Sequence, residues 1–240
     1  MEKNKFNELM RFYGEENGIT FNEEQLELFF KYMNLLIEWN KKMNLTAIID
    51  LKEIIIKHFI DSLTILNFIK DKKNLVDVGT GAGFPGIPLK IMDQNIEIVL
   101  VDSLNKRINF LNEVIKELDL ENIKAIHSRV EEFGKNVQYR EKFDIATSRA
   151  VANLSVLSEY LIPLVKINGE CICMKGAEIE AEVNNSQKAI EVLGGNIENI
   201  VSFELPKTDM KRNIIIIEKI RKTPNKYPRK SGTPAKEPIK

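Results

Sequence analysis

From Leu75 onward, short β-rich runs alternate with helical stretches, and no other feature restricts the fold as tightly. The runs are NLVDV, EIVLVD, IKAIHS, FDIATS, GECICMK, IENIVSFEL and RNIIIIEK. Helical patterns at about 86–93, 105–118, 130–135 and 151–165 separate the first five, and another at about 177–193 ends at Gly194-Gly195. Strands joined through helices lie parallel, with helices on both faces of the sheet. Only PKTDMK separates the last two runs, so they form an antiparallel hairpin at one edge. An ordinary dinucleotide-binding sheet has six parallel strands instead.

The first strand runs into the stretch LVDVGTGAGFPG, which contains two fingerprints. Gly81, Gly83 and Gly86 spell the G-x-G-x-x-G of dinucleotide sites, whereas Asp77, Gly79, Gly81 and Gly83 spell the D-x-G-x-G of S-adenosylmethionine (SAM) enzymes. A ligand of an open α/β sheet sits beyond the strand C-termini, where the backbone approaches it through glycines. The SAM register starts the loop directly after the strand and uses Asp77, near the expected position of SAM's cationic groups. The dinucleotide register leaves Asp77 and Gly79 unused. Together with the terminal hairpin, the loop predicts the class I SAM-dependent methyltransferase fold, α/β and Rossmann-like. Gly86 is expected to pack the next helix against the strand.

Other strand ends supply further candidates. Asp102 closes the second strand 23 residues after Gly79, where an acid accepts hydrogen bonds from ribose hydroxyls in either cofactor class. Val130 and Glu131, in HSRVEEF after the third strand, stand near an adenine or merely begin a helix. Ser148 and Arg149 end the fourth strand, facing the position of the methyl group. TSRAV lacks the D/N-P-P-Y/F of exocyclic-amine methylases, and Cys171 and Cys173 lie in ECICMKG, outside the Pro-Cys or Thr-Cys context of a cytosine-C5 nucleophile. The acceptor is therefore intrinsically nucleophilic, such as guanine N7, or else a hydroxyl or small molecule.

Cys171 and Cys173 are at most half of a zinc site and no second ligand cluster accompanies them, His58 and His127 lying far apart, so no metal is expected and the thiols read as buried core. No apolar run reaches membrane-spanning length and residues 1–18 lack a secretory h-region, which points to the cytoplasm. Residues 20 to about 70 read as helices, with starts expected at a Thr20–Glu23 capping box and at Asp50–Glu53. His58 and Asp61 sit one turn apart in KHFIDSL, paired structurally or lining a cleft together with Lys175. Formal charge is zero overall, yet residues 219–240 hold eight Lys or Arg against the single Glu237. A basic end with four prolines after Thr223 reads as an extended arm, suited to a polyanion.

WNKKMNLTAI, HFIDSL, DVGTGAGFPGIPLKI, VDSLNKRINFL, SRAVANL, MKG and YPRKSGTPAKEPI occur in collinear order from about residue 20 to 240, and together they resemble the bacterial small-subunit rRNA methyltransferase G family, also called glucose-inhibited division protein B. The resemblance implies SAM as cofactor and 16S rRNA, or the small ribosomal subunit, as partner. The reaction implied is N7-methylation of one guanine in the decoding-region loop. It maps cofactor contacts onto Gly79, Phe84, Val130, Glu131 and Arg149, with Gly81 in the same loop and Asp102 and Ser103 at the ribose. Many members carry Ala where Val130 stands, a change that a backbone contact survives. Arg229 and Lys230 become RNA-phosphate candidates, and the arm is expected to serve RNA rather than SAM. No residue is assigned as general acid or base. The expected organisation is a helical segment at 1–72 packed on the core, a methyltransferase domain at 73–220 and the arm at 221–240, in a monomer.

Overall fold

Seven strands form where the β-branched runs predict them: β1 (Asn74–Val78), β2 (Glu97–Asp102), β3 (Ile123–His127), β4 (Phe143–Arg149), β5 (Val165–Lys175), β6 (Gly195–Glu204) and β7 (Lys211–Lys219). The structure is a computed structural model that describes residues 2–72 and 74–240. Residue 73, where the methyltransferase domain was expected to begin, lies outside the described residues. The strand order is β3-β2-β1-β4-β5-β7-β6, parallel up to β5, with β7 antiparallel to both its neighbours.

Alternation along the strands divides the core in two. Leu75, Ile98, Leu100, Ile145, Ile172 and Ile214 face one layer, built from α5 (Gly86–Met92), α6 (Asn105–Glu117) and the N-terminal helices. Val76, Val99, Ala146, Cys171, Cys173 and Ile215 face the other, which includes α8 (Leu154–Leu161) and α9 (Glu180–Leu193). Both thiols are buried in that second layer, and burial pushes them up, Cys173 to about 12, so they stay protonated.

The helical segment before the sheet comprises α1 (Glu2–Glu16), α2 (Glu23–Met43), α3 (Leu51–Ile54), a π-helical stretch (Ile55–Ile60) and α4 (Asp61–Leu63). The capping box falls at Asn22 and Gln25, not at Thr20 and Glu23: Gln25 N donates to Asn22 Oδ1 at 2.7 Å and Asn22 N to Gln25 Oε1 at 3.0 Å. Asp50 caps α3 as expected. Helix α1 falls inside the expected helical segment but ahead of residue 20, where the apolar pattern was read to start, and its Phe6, Met10 and Tyr13 recur at helical spacing and are buried. Phe59 sits at the centre of this cap, with Phe29 at 5.0 Å, Tyr32 at 5.5 Å and Phe6 at 6.4 Å between ring centroids. Tyr32 also packs on Phe84 of the glycine loop, which ties cap to sheet. Among the described residues no helix is long and apolar enough to cross a membrane.

The C-terminal segment departs most from expectation. It is not an extended arm: Thr223, Tyr227 and Pro234 are buried, and residues 233–236 form a short helix, α10 (Thr233–Lys236). Arg140 fixes its path by donating to Tyr227 O at 2.7 Å and Thr223 O at 2.9 Å. Prolines and charges gave no periodic signal, because single apolar anchors such as Tyr227 and long-range polar contacts hold the segment rather than an apolar stripe.

Candidate active site

The glycine loop leaves β1 at Gly79, whose φ of 66° lies in the left-handed region. A Cβ there would also collide with Val151, so the loop after β4 can close against it only because this residue is glycine. Gly86 has the packing role expected of it: a Cβ would press into Leu100 and within 3.0 Å of Asp77 Oδ2.

Asp77 does not have the expected position. It is fully buried beneath the loop, where Oδ2 accepts from Thr80 Oγ1 at 2.7 Å and Gly86 N at 2.9 Å. Its Oδ1 has no hydrogen-bond donor among the described residues. Burial raises its pKa to about 6 despite the bonds from Thr80 and Gly86. Asp77 braces the loop from below rather than meeting a ligand.

Above the loop lies a cavity of about 750 Å³, lined by all eight residues named from the sequence as cofactor contacts. Gly79, Gly81 and Phe84 form its floor. At the end of β2, Asp102 accepts from Gly81 N at 3.0 Å, Leu104 N at 2.9 Å and Arg107 at 3.0 Å. It therefore fixes the loop to α6 while facing the cavity, beside Ser103. Val130 and Glu131 enter from α7 (Val130–Phe133), and Glu131 is buried with Oε1 accepting from Gly232 N at 2.8 Å.

Arg149 is the hinge of the site. Its guanidinium donates to Asp61 Oδ2 at 3.0 Å and Lys57 O at 3.0 Å, and lies 5.1 Å from the centroid of the Phe84 ring. Arg212 donates to the other Asp61 oxygen at 2.7 Å. His58 stacks on Phe84 at 4.4 Å and hydrogen-bonds Thr46 at 2.9 Å. Burial first and the Arg149 charge second lower its pKa to about 3, so it is neutral at physiological pH. Asp61 and His58 are thus linked through Arg149, not paired directly. Ser148 does not face the cavity: it is fully buried and donates to Val78 O at 2.8 Å, between β4 and β1.

A second cavity, of about 410 Å³, adjoins the first at His58, Arg149 and Ala150. Ile48, Met174, Phe203 and Ile214 give it apolar walls, and Asp61, Lys175 and Asn213 add polar groups. Lys175 Nζ also donates to Ala152 O at 2.6 Å, which holds the loop after β4. His58, Asp61 and Lys175 therefore do line a cleft.

The sequence reading missed Thr46, Arg107, Tyr160, Gly232 and Ala235, which also line the larger cavity. Arg107 lies in VDSLNKRINFL, five residues past Asp102, and that spacing after a strand end was its one available signal. Of the two RNA candidates, Lys230 is exposed, but Arg229 is not free: its guanidinium is bonded to the buried Glu159 through Nε at 3.0 Å and NH2 at 2.6 Å.

The residues present suit SAM. Open space next to Gly81 leaves backbone free to meet a ligand, Asp102 offers carboxylate acceptors, and Phe84 and Val130 give apolar surfaces for flat or methylene groups. The cavity lies where strand order reverses between β1 and β4, the ligand position of a doubly wound sheet. With the terminal hairpin, it defines a SAM-dependent methyltransferase of the class I fold.

Comparison with known proteins narrows the class. The family model for GidB, rRNA small subunit methyltransferase G, matches residues 25–215. A ribosomal RNA small subunit methyltransferase G of Acetivibrio thermocellus is 57% identical over 223 residues, 92% of each chain. One from Clostridium botulinum is 52% identical over 98% of this chain and 100% of its own. This chain belongs to the rRNA small subunit methyltransferase G family. Solved structures agree on the fold: M. jannaschii TYW2 in complex with AdoMet has a TM-score of 0.54 at 17% identity, covering 68% of this chain and 76% of that one. A putative sarcosine dimethylglycine methyltransferase from Galdieria sulphuraria has a TM-score of 0.51 at 8% identity, covering 66% and 81%.

Proposed function

We propose that this methyltransferase modifies N7 of a guanine in 16S rRNA, guanine 527 by family position, with SAM in the larger cavity and the base entering the smaller one. The observation that carries the reading is the chemistry of their junction. Both Asp61 oxygens are bonded to arginines, His58 is held neutral with a pKa near 3, and Cys171 and Cys173 are buried elsewhere. The junction thus offers no thiolate nucleophile, and its one carboxylate is already occupied. Guanine N7 needs neither, because its in-plane lone pair attacks without losing a proton.

SAM supplies a methyl group already activated by its sulfonium. The chain's own residues orient, neutralise and exclude water. Asp61 offsets one of the two charges of Arg149 and Arg212, so the product base gains its positive charge next to a partly compensated guanidinium. Phe84 and His58 make a dry, stacked wall at the junction. Positioning of this kind can supply several kcal/mol of catalysis. In A-form RNA the major groove is too narrow for side chains, so the base must be unpaired to reach the smaller cavity.

The test is transfer of radiolabelled methyl from SAM to 16S rRNA, and to small subunits, prepared from cells lacking the enzyme. Label mapped to guanine N7 in the decoding-region loop is expected. Label on another base or atom, or none, overturns the reading.

A further inference from the structure

We propose that residues 229–236 form a wall of the SAM pocket, and that the Arg229–Glu159 pair is the positioning device that sets it. The proposal rests on the reading of the larger cavity as the SAM site. Glu159, on α8, has no solvent exposure, and among the described residues every hydrogen bond to its carboxylate comes from Arg229. They include the Arg229 backbone N–H, at 2.7 Å, so the carboxylate fixes main chain as well as side chain. A buried carboxylate without such partners is strongly disfavoured, which makes the pair a committed anchor rather than a surface contact.

The anchor lies beside the pocket. Tyr160, next to Glu159, and Val156, one turn earlier on α8, both line the cavity. From Arg229 the chain runs three residues to Gly232, which takes a φ of 83° and donates its N–H to Glu131 Oε1 at 2.8 Å. Gly232 and Ala235 then line the cavity themselves. The segment therefore does two things for a ligand: it closes one side of the pocket, and it holds the Glu131 carboxylate through Oε1. Arg140, bonded to Thr223 O, Tyr227 O and Gly134 O, fixes the approach to the anchor. The basic residues divide by role. Arg229 is turned inward as a positioning residue, while Lys226, Lys230 and Lys236 remain exposed.

The test is calorimetric titration of SAM, without RNA, into the full chain and into Glu159→Gln, Arg229→Lys, Ala235→Phe and Asp102→Ala, with melting temperature and rRNA affinity measured in parallel. Glu159→Gln is expected to raise the SAM dissociation constant about tenfold or more, and Arg229→Lys, which keeps the charge but not the fork, less than that. Ala235 is exposed and faces the cavity, so its phenylalanine variant is expected to fold as the parent does and still weaken SAM binding about tenfold by occupying the pocket. Affinity for rRNA is expected to hold in the Glu159, Arg229 and Ala235 variants. If Glu159→Gln fails to fold, Ala235→Phe alone decides. A folded Ala235→Phe that binds SAM within about twofold of the parent overturns the proposal, provided that Asp102→Ala on the opposite wall weakens SAM. If Asp102→Ala also leaves SAM affinity unchanged, the reading of the cavity itself falls, and the proposal with it.

Discussion

The cap and the C-terminal segment approach the same cleft from opposite ends of the chain, and they are held by opposite means. The cap is an apolar body: Phe6, Phe29, Tyr32 and Phe59 interlock and continue onto Phe84 of the loop. Its polar contacts at the cleft centre on a clamp, Asp61 on Arg149 and Arg212. The C-terminal segment buries Tyr227, Pro228 and Pro234 but has no aromatic cluster of its own, and polar contacts to Arg140, Glu159 and Glu131 fix its path. An apolar interface tolerates adjustment of individual side chains, whereas a carboxylate buried at zero exposure tolerates no loss of its partner.

The largest expected effect tests the apolar half. Phe59→Ala should cost about 3–5 kcal/mol of unfolding free energy in urea titration, since the ring is fully buried among Phe6, Phe29, Tyr32 and Phe84. A loss below about 1 kcal/mol would mean that the cap is no more integral than the tail. Next comes the clamp. Arg149→Ala should lower methyl transfer to 16S rRNA about tenfold or more, with Asp61 left to Arg212 alone. An unchanged initial rate would remove Arg149 from the site.

The cap should also give the cleft an acid sensitivity. His58 has a folded-state pKa near 3 against an ordinary 6.5, so below 6.5 the unfolded chain takes a proton that the folded chain refuses. Its contribution is complete above 6.5 and is lost as pH falls toward 3. His58→Gln should therefore lose less melting temperature than the parent on acidification across that window; parallel curves would refute the assignment. The smallest effect belongs to the exposed part of the tail. Lys230→Ala should weaken rRNA binding about two- to fivefold and reduce the salt slope by about one, as measured by filter binding over a salt series.

The same contrast explains what could be read in advance. The seven strands, the loop register at Gly79 and the acid at Asp102 follow from periodicity and spacing, because parallel β–α units bury apolar side chains at fixed intervals. The role of Asp77 could not be read that way. A motif gives its sequence position, but only packing reveals that it lies under the loop, bonded to Thr80 and Gly86. The start of α2 slipped by two residues because Thr20 and Asn22 are both good caps, and the choice depends on the tertiary entry of the chain. The tail was misjudged for a third reason. Its partners, Glu131, Arg140 and Glu159, lie 70 to 101 residues away, and nothing local in YPRKSGTPAKEP signals them.

Gly232 and Ala235 also set an order in time. The ribosome makes the pocket's other lining residues first, from Leu45 through Tyr160, and these two last. A nascent chain can therefore fold its cap, its glycine loop and its central strands while the cleft still lacks a side. Until residues 229–236 emerge, Glu159 has no arginine and Glu131 no backbone donor. If residues 229–236 wall the cofactor pocket as proposed, a chain cut short at Pro228 would keep the sheet but lose that wall and the hold on Glu131 and Glu159.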